Sequence, residues 1–107
     1  MEFRQILDQT RDGDPRVRAR AVRALRPCAL KANDVEAWDR ILEMCDDPDP
    51  RVRSNVFHVL CDGSPREREQ DVVMALDLMA NDPDPRLRRR VRRLLAHYRR
   101  GGRLNVL

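Results

Sequence analysis

Aromatic side chains are scarce in this chain, with one Trp, one Tyr and two Phe among 107 residues. Sheets draw on aromatic and β-branched residues, so the scarcity argues against a β architecture, and it removes the stacking platforms that hold single-stranded nucleic acid. Lysine is nearly missing too: of 22 basic residues every one but Lys31 is Arg. That bias is assigned first to codon usage and only second to selection for phosphate-gripping guanidinium forks. No apolar run approaches the roughly 18 residues of a membrane span, and Met1 to Thr10 reads as an amphipathic helix without the basic and apolar regions of a leader. A cytoplasmic protein is expected. The three cysteines, Cys28, Cys45 and Cys61, form no Cys-x-x-Cys pair, which argues against a disulfide framework and a structural zinc site. There is also no glycine-rich phosphate loop.

What is present is charge on a helical background. Charged residues make up 37% of the chain and hydrophobic ones 41%, a balance that suits small helices packed on Leu, Val, Ile and Ala within one domain. The net charge of +4 is unevenly placed. Residues 1–83 carry 13 basic against 17 acidic side chains, or −4, whereas residues 84–107 carry nine Arg against Asp84 alone, or +8.

Self-comparison gives a period of 35 residues: Asp14-Pro15-Arg16-Val17-Arg18, Asp49-Pro50-Arg51-Val52-Arg53 and Asp84-Pro85-Arg86-Leu87-Arg88 recur at that spacing. The register extends to Ile6, Ile41 and Leu76, to Ala21, Val56 and Val91, and to Leu25, Leu60 and Leu95. In each unit a first helix is marked by apolar residues at helical spacing: Phe3, Ile6 and Leu7; then Trp38, Ile41, Leu42 and Cys45; then Val73, Leu76 and Met79. The Asp-Pro pair then opens a second helix, with Asp as N-cap and Pro at the first helical position. Its apolar stripe is predicted as Val17, Ala21, Ala24 and Leu25; Val52, Val56, Val59 and Leu60; and Leu87, Val91, Leu94, Leu95 and Tyr98. The boundaries follow: repeats at 1–33, 34–68 and 69–100, and a tail at 101–107 after the Gly101-Gly102 break. The expected fold is an all-α solenoid of three antiparallel helix pairs, six helices in all, because only stacked units can bury both faces of each pair.

The segments Asp12-Gly13-Asp14-Pro15-Arg16-Val17-Arg18, Asp47-Pro48-Asp49-Pro50-Arg51-Val52-Arg53 and Asp82-Pro83-Asp84-Pro85-Arg86-Leu87-Arg88 resemble the turn of HEAT repeats, especially the short bacterial HEAT-like type. The resemblance implies a ladder between neighbouring repeats, carried over as Asp12 with Arg18, Asp47 with Arg53, and Asp82 with Arg88, all with a structural role. It also implies that the second helices line a concave docking surface. Where the family often has an acid, between Pro and Val, this chain has Arg16, Arg51 and Arg86. HEAT-like alkylpurine DNA glycosylases hold duplex DNA in such a basic face, but they use more repeats and place an acid and aromatic residues near the lesion; the single Trp38 here falls at a first-helix core position, so no catalytic residue carries over.

The candidate binding columns of the second helices are Arg16, Arg51 and Arg86; Arg20, Asn55 and Arg90; and Arg23, His58 and Arg93, extended by Arg89, His97 and Arg100. Their plainer role is to solubilise an exposed face, an account that weakens in the third repeat, where local acids are too few to neutralise the arginines. His58 and Cys61 at i, i+3 have no second pair and are not expected to bind metal. Cys28, in the inter-repeat loop, is expected to be an accessible thiol, and Glu67, Glu69 and Asp71 suit the start of a helix rather than acid-base chemistry. No cofactor and no catalytic set is expected. The leading reading is a non-catalytic protein-binding scaffold whose Arg-lined face grips an acidic protein segment; the alternative is nucleic-acid binding to duplex phosphate through the same face. The tail, Arg103 to Leu107, is expected to cap the open end of the third repeat, and an uncovered end would favour homodimerisation through a terminal repeat. Met1 and the Gly-Gly tail suit a complete small protein.

Overall fold

The Asp-Pro pairs act at the backbone first. In the computed structural model, which describes residues 2–25 and 34–107, three helices begin with Pro at their first position: α2 (Pro15–Ala24), α4 (Pro50–Leu60) and α6 (Pro85–Arg99). Their N-caps Asp14, Asp49 and Asp84 each accept a hydrogen bond from the N–H two residues on, at 2.8–2.9 Å, satisfying a donor that a helix start otherwise leaves orphaned. Before them lie α1 (Phe3–Gln9), α3 (Val35–Glu43) and α5 (Glu69–Met79). A single 3-10 turn, Met44–Asp46, follows α3, and another, Arg66–Arg68, leads into α5. No strand occurs among the described residues. Cys28 and the inter-repeat loop around it lie outside the described residues.

The core runs through all three units. Ile6, Leu7, Trp38, Ile41, Leu76 and Met79 bury the first helices, and Ala21, Val22, Leu25, Val52, Val56, Leu60, Leu87, Val91 and Leu95 the second. One predicted stripe residue is misplaced: Ala24 is exposed, because α2 ends there and Leu25 turns inward as its C-cap. Ala19 and Val22 complete the buried side of α2 instead, while Val17 is half-buried. Tyr98 is also half-buried, packed against the core.

Adjacent turns are tied by guanidinium forks. Arg18 donates from Nε and Nη2 to both carboxylate oxygens of Asp47 at 3.0 and 3.1 Å, and Arg53 donates likewise to Asp82 at 2.8 and 3.2 Å. The remaining Nη1 reaches back to the carbonyl of the residue's own turn, Asp12 for Arg18, Asp47 for Arg53 and Asp82 for Arg88, at 2.7–2.9 Å. The carboxylate partners therefore differ from the within-turn pairs Asp12 with Arg18, Asp47 with Arg53 and Asp82 with Arg88. Arg18 and Arg53 meet their own turns only through backbone carbonyls and give their forks to the next repeat. The carboxylates of Asp12, Asp47 and Asp82 accept the N–H two residues on at 2.8–2.9 Å, so each acid orders its own loop, and Asp47 and Asp82 also receive the fork of the preceding repeat. Asp82 and Arg53 are nearly inaccessible, with side chains 3% and 9% exposed. Asp12 and Arg88 stand at the two ends of the ladder, with no ion-pair partner among the described residues.

The first helices are linked separately. Arg40 on α3 donates to the hydroxyl and carbonyl of Thr10 at 3.0 and 2.8 Å, Arg4 forks onto Glu36 at 2.8 Å, and Arg68 pairs with Asp39 at 2.8 Å. Arg40 and Arg4 thus hold α3 to α1, and Arg68, in the turn that leads into α5, holds that turn to α3.

Breaking a buried pair strands a charge, so Asp82→Ala is expected to lower unfolding stability by about 3 kcal/mol or more. Asp12→Ala removes only an exposed turn contact and should cost about 1 kcal/mol or less. Urea denaturation of the two variants side by side checks the contrast. Burial acts in a second way on Cys61, which is inaccessible to solvent and has its thiol pushed up from 9.0 to about 12 despite the nearby Arg90. The folded protein keeps a proton that the unfolded chain releases above pH 9, so this contribution to stability is complete below pH 9 and lost as pH rises toward 12. The slope of unfolding free energy against pH over that window should flatten in Cys61→Ala.

Candidate functional site

The exposed stripe of α6 is built by position alone. Arg86, Arg89, Arg90, Arg93, His97 and Arg100 recur at three- and four-residue intervals and are all exposed, opposite the buried Leu87, Val91 and Leu95. The helix holds this stripe rigid to its end. Gly101 adopts φ 93°, and the N–H groups of Gly101 and Gly102 close onto the carbonyls of Tyr98 and His97 at 2.9 and 3.0 Å, a Schellman closure that needs glycine at the left-handed position. A Cβ on Gly102 would fall on the His97 imidazole.

The arginines of the first two repeats are largely engaged nearby. Arg16 folds onto Asp14 and Arg51 onto Asp49, each at 3.3 Å. These contacts and the cap N–H groups hold the Asp14 and Asp49 carboxyls below the usual carboxylate range. Arg20 and Arg23 are exposed without an ion pair among the described residues. His58 is half-buried, 3.7 Å from Asp62. Asn55, expected on the docking face, is instead a strut: its amide donates to the Ala19 carbonyl at 2.9 Å, joining α4 to α2.

The third repeat differs. Among the described residues, Arg99 is the one member of its nine arginines in an ion pair, with Asp77 at 2.6 Å. Arg92 is tied to the end of α5, donating to the Ala80 carbonyl at 2.7 Å and to Asn81. Arg90 places its guanidinium carbon 5.1 Å from the centroid of Phe57, a cation–π geometry. Arg86, Arg89, Arg93, Arg100 and Arg103 have no carboxylate partner among the described residues.

Sequence reasoning missed Phe57 and the space it creates. The 35-residue register matches Val22 to Phe57 and Asn55 to Arg90. At the first junction the small pair Ala19 and Val22, with the Asn55 strut, lets α2 and α4 pack along their lengths. At the second junction Phe57 and Arg90 occupy those places, and no comparable contact joins α4 to α6. The result is a groove of about 480 Å³ between Phe57, Leu94, Val106 and Leu107, edged by Arg90, Arg93, His97 and Arg100.

The tail forms one wall of that groove and does not close the outer flank of the third repeat, as the sequence suggested. It turns back onto the end of α4 because its polar groups find partners there. Asn105 accepts from the N–H groups of Gly63 and Ser64 at 2.7 and 2.8 Å, Leu107 donates to the Cys61 carbonyl at 3.1 Å, and Leu104 is buried. Val106 and Leu107 remain about half exposed, at 51% and 47%.

Among the described residues no group of His, Cys, Asp and Glu has the arrangement of a metal site, and no described helix is long and apolar enough to cross a membrane. Glu69 and Asp71 lie in the first turn of α5, where the helix dipole favours them. No match was found among curated proteins or among solved structures. The family model for HEAT repeats matches residues 3–96, through all six helices described above. The chain, with its paired helices, Asp-Pro turns and inter-repeat forks, belongs to the HEAT-repeat family.

Proposed function

We propose that this protein is a non-catalytic scaffold that docks an acidic protein segment against the exposed arginines of its second helices, chiefly those of α6. HEAT repeats generally mediate protein–protein interaction and scaffolding, and the family is typically non-catalytic. The observation that carries the finer reading is the imbalance in the third repeat, where Arg99 alone of nine arginines has an ion-pair partner among the described residues. A row of guanidinium groups on one rigid helix creates a positive potential that steers anionic partners, and each group can fork onto a carboxylate. In the first two repeats Arg16 and Arg51 are partly neutralised by their own caps, so they act as a weaker extension of the same surface, with Arg20 and Arg23 beside them.

Duplex nucleic acid is the second reading, favoured by the same stripe, since phosphate contacts need guanidinium groups and no aromatic stacking. The two ligands separate by salt and by shape. A short Asp/Glu-rich peptide labelled with fluorescein is expected to bind at physiological ionic strength by anisotropy, and the triple variant Arg86→Glu, Arg90→Glu, Arg93→Glu to lose at least about tenfold in affinity. Duplex DNA is expected to bind only at low salt, its affinity falling steeply with added salt. Retention of duplex binding at physiological salt, with no peptide binding, would reverse the order of the two readings.

A further inference from the structure

The groove between α4 and α6 has a composition unlike that of a purely electrostatic surface. Its floor and inner wall are apolar, from Phe57, Leu94, Val106 and Leu107, and its rim is cationic, from Arg90, Arg93, His97 and Arg100. A face meant only to repel aggregation would gain nothing from keeping Val106 and Leu107 half exposed beside a cleft of about 480 Å³. That volume lies within the roughly 300–1,000 Å³ of pockets that enclose small ligands and is ample for one or two apolar side chains.

We infer that this groove is an anchor pocket for an acidic peptide segment that carries one or two large apolar side chains, inserted between α4 and α6 while flanking carboxylates meet Arg90, Arg93 and Arg100. The inference rests on the acidic-partner reading and adds a specificity element to it. Charge complementarity selects the occupant. Another apolar cleft among the described residues, between α3 and α5, exposes Met74 and Leu78 but is edged by Asp39, Glu43 and Asp71, with Arg68 as its one cation. An acidic segment is repelled there and attracted at the α4–α6 groove. The groove walls are also held in place before any partner arrives. Asn105 pins the tail to Gly63 and Ser64, and the Schellman closure at Gly101 fixes where the tail leaves α6, so little ordering opposes binding.

The test uses two acidic peptides of equal length and charge, one with a central Leu-x-x-Leu and one with both Leu replaced by Ser. Calorimetric titration of the full chain at physiological salt is expected to give the Leu peptide an affinity at least about tenfold higher, the factor that follows from burying one to two leucines. The double variant Val106→Ser, Leu107→Ser alters only exposed side chains and should erase that preference, so that the two peptides bind it with equal affinity. Arg93→Gln with Arg100→Gln should weaken both peptides. Equal affinities for the two peptides in the unaltered protein would overturn the anchor pocket and leave the acidic-partner reading standing. Binding of neither peptide would overturn both. A preference for Leu that persists in the tail variant would place the anchor elsewhere and overturn this assignment.

Discussion

Every repeat junction in this structure passes through one interaction, the fork of an arginine onto the carboxylate that orders the next turn. The arrangement is economical because each group does two things. Arg53 closes its own loop through Nη1 and the Asp47 carbonyl while its fork holds Asp82, and Asp82 in turn accepts the Asp84 N–H that sets the entry to α6. An ion pair buried this deeply is tolerated only when its polar atoms are satisfied. The spacing of Arg and Asp thus constrains the stacking of successive repeats more tightly than apolar contact does, since apolar surfaces can slide and a bidentate fork cannot.

Within that frame the side chains at the second-helix junctions decide how open the surface becomes. Ala19, Val22 and Asn55 draw α2 and α4 together. Phe57 and Arg90, at the matching positions one repeat later, stack on one another and fill the space that closer helices would need. The tail then enters the gap with Leu104 buried and Asn105 anchored to the α4–α5 turn. Two substitutions within an otherwise regular repeat convert a closed seam into a lined groove.

The fold was legible because its signals repeat. A motif such as Asp-Pro-Arg-Val-Arg fixes a cap, a helix start and a stripe at once, and three copies set the register. The pairing within the ladder was less accessible, because Arg18 lies six residues after Asp12 and 29 before Asp47, and only the folded turn assigns the fork to the latter. Position-specific departures were hidden by the same periodicity that exposed the fold. Comparing columns drew attention to recurring Arg and passed over Phe57, which falls between the predicted stripe and the predicted face. Asn55 was read as a surface group because its column is otherwise Arg, while its short amide fits the narrow gap to the Ala19 carbonyl. The path of the tail depends on partners at Gly63 and Ser64 that no local pattern in Arg103 to Leu107 announces.

Charge follows the same division. The first two repeats place acids where arginines can reach them, and the third presents a helix whose guanidinium groups face outward with few local partners. The most direct test of the central claim is an NMR spectrum of the arginine Nε–Hε groups recorded while an Asp/Glu-rich peptide is added. The account predicts saturable shifts for Arg86, Arg89, Arg90 and Arg93, with the forks of Arg18 and Arg53 unmoved; shifts spread evenly over all exposed arginines, or none at all, would contradict it.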